Sequence, residues 1–422
     1  MKLISIFVLF TGLVSLTLVG CSSTTVRYVD ITPPKKASQD VPEEELLDVG
    51  VLVLDANIPE YYDDVIAENI TPEVRRAEAN YVANYLKEYL QSTGNWGAVR
   101  VVPRLSNAVD IVVVGAIIHS DGERQVIDFG VRDSRGVIWF EKTYKTLASK
   151  YAYDPEVPDN IDPFQTTYRK LADSMLDYME ALSSDEKQDI RTVSKMRFAR
   201  EITPEAFGDY LSFSEEGEVE LLRLPANDDP VMDKVEQIRD REYLFIDTLD
   251  EYYSNFASKV KDPLSSWRQQ TYDVAIALRE DRNKARVRLI AGISMVLSGA
   301  VMQRSSDTLK EYAGYTGVIG GSTEILGSIA NRANIRLLIS RLQEIGLGAS
   351  EAISPYAIEL ENATYSLEGT VDEQFDQLKE LLREQYYEDL GVEFQEEDSE
   401  SDTSVPDLTG EETTDELLQG TE

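Results

Sequence analysis

Apolar positions along this 422-residue chain change period several times, and each change marks an element. Val49-Gly50-Val51-Leu52-Val53-Leu54 is a continuous apolar run, the pattern of a short buried strand. Thr71-Pro72-Glu73 then reads as a helix start, with Thr as N-cap and Pro at the first helical position. Val74, Ala77, Tyr81, Tyr85 and Tyr89, with Val82, Leu86 and Leu90, keep helical spacing until Ser92–Gly94 stops it. Strand-like runs follow at Ala98–Pro103, Asp110–Ile118, Arg124–Val131 and Gly136–Lys145. Asp121-Gly122 and Asp133-Ser134-Arg135-Gly136 are hairpin signals between the last three. Ile127 and Phe129 alternate with Asp128, and Ile138 and Phe140 with Trp139 and Glu141, as in a half-exposed antiparallel sheet. The predicted order is β-α-β-β-β-β. A Pro-containing connector, Asp154–Pro163, leads to a closing helix over 164–182 on Leu171, Met175, Tyr178 and Leu182.

From Ser184 the period is helical. Val231, Val235, Ile238, Phe245, Leu249, Tyr252, Phe256 and Val260 recur at three- and four-residue spacing, with one seven-residue step. This predicts a helix of some 30 residues with a narrow apolar seam. Asp262-Pro263 is expected to end it and start a second helix reaching about Gln303. Leu289–Met302 is apolar all round, and Tyr312–Ala330 is Gly-rich. Gly292 and Gly299 lie seven apart, and Gly317 and Gly321 have small-xxx-small spacing, which lets backbones approach closely. Two readings follow: a buried central helix crossed at glycines, or a hairpin that inserts in a membrane. The first run has core-helix length and is short for a span. Ser322–Ile345 reads as a further helix, Tyr356–Gly369 as extended structure, and Val371–Tyr387 as a last helix on Phe375, Leu378, Leu382 and Tyr386.

The fold class expected is α+β, a small α/β domain with a mostly antiparallel sheet followed by a larger, mainly helical domain. The divisions are 1–20 signal peptide, 21–47 flexible tether, 48–183 α/β domain, 184–392 helical domain and 393–422 tail. From Glu393 to Glu422 there are twelve acidic and no basic residues, a composition that stays disordered and keeps a chain soluble or meets a basic partner.

Charge narrows the partners. With 41 basic and 77 acidic residues the chain carries a formal charge of -36. That excludes phosphate-driven nucleic-acid binding and an electrostatic grip on anionic lipid. Cys21 is the only cysteine and His119 the only histidine. Lys2 opens a short positive region, Leu3–Val19 is apolar, and Leu18-Val19-Gly20-Cys21 closes it, the layout of a secretory signal. This four-residue closure resembles the bacterial lipoprotein lipobox. The resemblance implies that Cys21 is acylated and becomes the first mature residue. Ser22 in place of Asp implies the outer membrane, with attachment through the acyl chains.

The order of elements and the texture VDIVVVGAI…VIDFGVRDSRGVIWFEKTY resemble a periplasmic α/β domain. It occurs in the curli-secretion lipoprotein, in the amino-terminal domain of the Tol-Pal propeller protein, and in penicillin-binding-protein activator lipoproteins. The likeness covers about residues 48–150 and implies an assembly or docking module. The chain departs from all three beyond that point, with no propeller repeat and no pore-forming hairpins.

Catalytic signatures are absent from the sequence. A Ser-His-Asp set would have to use His119, which falls beside a turn, and there is no G-x-S-x-G, H-E-x-x-H or P-loop. No catalytic residue, metal ligand or cofactor is therefore expected. The leading expectation is a non-catalytic, lipid-anchored periplasmic protein of the outer membrane that docks an unidentified envelope protein partner. The alternatives are a carboxylate-dependent hydrolase of an envelope polymer, which needs two carboxyls in one cleft, and a secretion or transport component inserting the Gly-rich hairpin.

Overall fold

A computed structural model describes residues 32–39, 41–68, 70–158, 161–215, 217–226, 228–297, 356–360, 363–368 and 370–390. The fold is α+β. Strand β1 (Val49–Leu52) leads through the short helix α1 (Tyr62–Ala67) to α2 (Pro72–Thr93) and then β2 (Val99–Val102). Strands β3 (Ile111–Ser120), β4 (Arg124–Asp133) and β5 (Ile138–Leu147) follow, so the expected order of strands and long helix is realised. The sheet runs β2-β1-β3-β4-β5. It is mixed: β1 is parallel to both β2 and β3, while β3–β4 and β4–β5 are antiparallel. The parallel part arises because α2 carries the chain back to the start of the sheet, which a hairpin cannot do. All four β1 residues are buried, as befits a parallel strand covered on both faces.

Helix α2 starts at Pro72 with Thr71 in the N-cap position, although the Thr71 hydroxyl makes no capping bond. It stops at Gly94, whose φ of 71° is the left-handed conformation a helix end favours and a side chain disfavours. Helix α3 (Gln165–Ala181) covers β5: Trp139 stacks on Tyr178 with ring centroids 4.7 Å apart, and the Tyr144 hydroxyl lies 3.2 Å from Ser174 Oγ. Helix α4 (Ser184–Ile202) opens with a capping box between Ser183 and Glu186. A short α5 (Pro204–Phe207) precedes a hairpin of β6 (Leu211–Phe213) and β7 (Val219–Leu221), which the helical texture of this half concealed. Hairpin β8–β9 (Tyr356–Leu360, Ala363–Leu367) and helix α7 (Val371–Leu390) match the extended stretch and last helix expected there.

The largest departure is helix α6, Pro230–Leu297, 68 residues without a break and about 100 Å long at 1.5 Å per residue. Pro263 sits inside it and does not end it. Proline removes one amide and its ring presses on the carbonyl four residues back, a cost of about 3 kcal/mol. Packing outweighs that cost: Val260 is fully buried and Leu264 is 1% exposed, one on each side of the proline. The seam continues through Trp267 into the same apolar core as the sheet and α2.

The chain ahead of β1 is also held. Asn95 accepts the Ala37 amide at 2.9 Å and donates to the Lys35 carbonyl at 3.1 Å. Lys187 meets Glu45 at 2.9 Å, and Leu47 is fully buried. Residues 32–39 and 41–47 therefore lie against the body, unlike the free coil expected of the whole 21–47 segment. Their apolar content is low, but side chains of α3, α4 and the α2–β2 loop bond their backbone.

Candidate functional site

The chemistry of this fold concentrates where α6 crosses the sheet domain, in three polar clusters. The first centres on Arg268, which is 1% exposed. Its guanidinium bonds Glu78 of α2 and lies 3.1 Å from Asp162 of the connector. Ser120 at the end of β3 donates to Glu78 at 2.7 Å, and the Tyr81 hydroxyl donates to Asp162 at 3.1 Å. The Phe164 amide donates to the other Asp162 oxygen at 2.8 Å. The guanidinium stands 4.9 Å over the Phe164 ring. Burial alone lowers the pKa of Arg268, but Asp162 and Glu78 outweigh it and hold the guanidinium charged. Burial pushes the surrounding Tyr81 and Tyr168 hydroxyls well above their ordinary value, with Asp162 adding to it. These phenols are neutral donors and acceptors here, not bases. Helix α6 approaches closely at this point because the β3–β4 turn carries Gly122, where a Cβ would lie 2.7 Å from the Tyr272 amide nitrogen and closer still to the Arg268 carbonyl.

The second cluster joins α4, α6 and α7. Lys379 bonds Glu201 at 2.6 Å, Asn107 donates to Glu201 at 2.8 Å, and Ser106 donates to Glu242 at 2.8 Å. Burial raises the Glu242 carboxyl, with Glu201 adding to it. Glu201 is lowered despite burial, because Lys379 stands against it.

The third is a cleft of about 270 Å³ at the amino-terminal ends of β1 and β3, lined by Asp48, Asp110, Arg239, Asp240 and Tyr243 among others. Arg239 donates to the Ala108 carbonyl at 2.8 Å and to Ser194 at 2.9 Å, and Tyr243 also donates to Ala108. Asp110 accepts the Asp48 amide at 2.9 Å, and Asp48 accepts the Ala98 amide at 2.7 Å. Burial raises the Asp110 carboxyl, and neighbouring Asp48 adds to it. The cleft thus holds several carboxylates, as the hydrolase alternative requires. Its two most interior ones, however, are committed to backbone amides that set the strand starts. Ligands in open α/β sheets favour the opposite, carboxyl ends of the strands.

His119 lies near the end of β3. Its Nε2 is 2.7 Å from Asp121 Oδ2 and 3.1 Å from an Arg124 nitrogen. Asp121 Oδ1 accepts the Glu123 and Arg124 amides, both at 2.7 Å. Burial pushes the Asp121 carboxyl up, but the His119 bond and these amides outweigh it and hold it below the usual range. The arrangement fastens a turn, and no hydroxyl nucleophile is bonded to the imidazole among the contacts described. Among the described residues no group of three His, Cys, Asp or Glu is placed to hold a metal ion.

Of the residues singled out in the sequence, Gly292 lies within α6. Cys21, Gly299, Gly317 and Gly321 lie outside the described residues, as do the 322–345 helix and the acidic tail. No helix among the described residues is long and apolar enough to cross a membrane. The buried charges escaped the sequence reading, yet a signal was present. Glu242 sits at 1% exposure inside the seven-residue gap between Ile238 and Phe245, and Glu78 falls four residues after Val74 on the α2 seam. A charged residue in phase with an apolar stripe, where exposure is forbidden, marks a buried pair. The chain matches no protein-family model, no curated protein and no solved structure.

Proposed function

We propose that this chain is a lipid-anchored protein of the periplasmic face of the outer membrane that docks or assembles an envelope protein complex. The observation that carries the anchoring is Leu18-Val19-Gly20-Cys21 closing an apolar run behind Lys2. The docking role draws on the likeness of residues 48–150 to periplasmic assembly modules. It is also supported by the use made of charge in the fold. Arg268, Glu78 and Asp162, and Lys379 with Glu201, fasten α6 and α7 to their neighbours. The result is a scaffold in which these ion pairs brace α6 and α7.

The test is fractionation of envelopes with cross-linking. The wild-type chain is expected in the outer-membrane fraction, cross-linked to the same envelope protein in each preparation, and Cys21→Ala is expected to move it to the soluble fraction. Unchanged membrane residence of Cys21→Ala overturns the anchor. Recovery of the cross-linked wild type only as a free monomer overturns the docking role.

A further inference from the structure

Cys21 is the only cysteine among the 422 residues, so no pair is available for a disulfide between distant segments. One cluster holds the parts of a different covalent tie. Lys379 of α7 and Asn107 of the β2–β3 connection meet on one carboxylate: Glu201 Oε1 accepts from Lys379 Nζ at 2.6 Å, and Glu201 Oε2 accepts from Asn107 Nδ2 at 2.8 Å. An amine and a carboxamide thus stand on the two oxygens of the same group. The residues on either side of Asn107 are pinned. Ser106 donates to Glu242 at 2.8 Å and accepts the Ala108 amide at 3.0 Å, and the Ala108 carbonyl accepts from Arg239 at 2.8 Å. Lys379 Nζ lies 5.2 Å over the ring of Phe375, which is fully buried and stacked on Phe245 with centroids 6.3 Å apart. This aromatic wall keeps water from one side of the amine and raises the cost of charge there.

The resting pair is ammonium and carboxylate: burial opposes both charges, and Lys379 and Glu201 hold each other ionised against it. Transfer of one proton along their bond leaves both neutral, the form burial favours, and turns the amine into a nucleophile. We propose that Lys379 and Asn107 become joined by an amide bond between Nζ and Cγ, with Glu201 relaying the protons. Nζ attacks Cγ, the Nζ–Cγ bond forms and the Cγ–Nδ2 bond breaks. Two of the three ammonium hydrogens pass through Glu201 to Nδ2, which leaves as an ammonium ion, and Glu201 returns to its carboxylate. No oxidant or reductant takes part, since one carboxamide is exchanged for another. Glu201 serves as base to the nucleophile and then as acid to the leaving nitrogen, the two atoms it already touches. The new bond closes residues 107–379 into a ring and locks α7 to the β2–β3 connection. A cross-link over so long a loop restricts the unfolded chain as a disulfide does. This stands apart from the anchoring and docking reading and survives its failure.

Tryptic mapping of the full chain by mass spectrometry, with the protein isolated folded and denatured only for digestion, tests the bond. The expected product is a branched peptide that joins residues 105–124 to residues 342–383, uncut after Lys379. It is expected to be lighter than its two parts by about 17 Da, the mass of ammonia. Lys379→Arg keeps a cation for Glu201 but removes the amine, and Asn107→Ala removes the carboxamide; each is expected to abolish the branched peptide. Glu201→Gln keeps a side chain of the same shape that takes up no proton, and is expected to lower the linked fraction at matched times at least about tenfold. Circular dichroism checks that each variant is folded. Two results overturn the proposal: folded wild-type protein that yields 105–124 and 342–379 only as separate linear peptides, or a branched peptide that forms as fast in folded Glu201→Gln as in the wild type.

Discussion

Replacing Arg268 by Met tests whether the buried ionic cluster is what holds α6 to the sheet domain. Methionine nearly fills the guanidinium's place but cannot neutralise Glu78 or Asp162, which the native side chain bonds from a position 1% exposed. Removing one member of a buried ion pair costs about 3–5 kcal/mol, because the partner charge stays desolvated and uncompensated. Here two carboxylates lose their countercharge, although Ser120, Tyr81 and the Phe164 amide still bond them, so the figure belongs within that range. With an unfolding entropy of about 2.1 cal/mol/K per residue over the 292 described residues, 3–5 kcal/mol lowers the melting temperature by about 5–8 °C. Differential scanning calorimetry measures this. Hydrogen exchange localises it, with protection lost first in α2 around Glu78, in 161–168, and in α6 around residue 268. The triple variant Arg268→Met, Glu78→Gln, Asp162→Asn should recover most of the loss, since no bare charge remains. A drop under about 1 °C for Arg268→Met alone, or a triple variant no better than the single, refutes the assignment of this cluster as the fastener.

Pro263→Ala restores the amide that α6 lacks and relieves the ring's contact with the carbonyl of Lys259; a gain of about 1–3 kcal/mol in thermal or urea unfolding is expected, and a loss would mean that the ring itself packs as part of the core. Asp110→Asn tests the cleft through pH. Burial and Asp48 raise the Asp110 carboxyl, so in the wild type the folded form holds its proton to higher pH than the unfolded form; the stability tied to this group is full at low pH and declines as pH rises through the raised pKa. Asn keeps an acceptor for the Asp48 amide and does not ionise. The variant is therefore expected to melt higher than wild type at pH 7.5, with the difference shrinking towards about pH 4, where a free Asp is itself half protonated. A difference that grows on acidification contradicts the direction.

The order of elements through β5, the stop of α2 at Gly94 and the last helix were legible in the sequence because each rests on local chemistry. Strand runs are set by short-range alternation, and the helix stop by a residue that tolerates positive φ. Pro263 shows the limit of that reasoning. Local propensity says that a helix ends there, and the packing of Val260, Leu264 and Trp267 against the sheet domain overrides it. The mixed character of the sheet was likewise undecidable from strand patterns, since a buried apolar run such as Val49–Leu52 does not state which neighbours it will have.

The clusters at Arg268, Lys379 and Arg239 join residues up to 190 positions apart, as between Glu78 and Arg268. The packing of α6 against the sheet domain, and of α7 beside α4, brings them within bonding distance. Once there, low-dielectric burial makes pairing obligatory, whereas the same side chains on an exposed helix face would be ordinary solvated charges. Composition and period thus determined the strands and long helix through β5 and the last helix, but not the β6–β7 hairpin or the passage of α6 through Pro263. The tertiary structure decided which charges meet and that helix side chains close the β2 edge of the sheet.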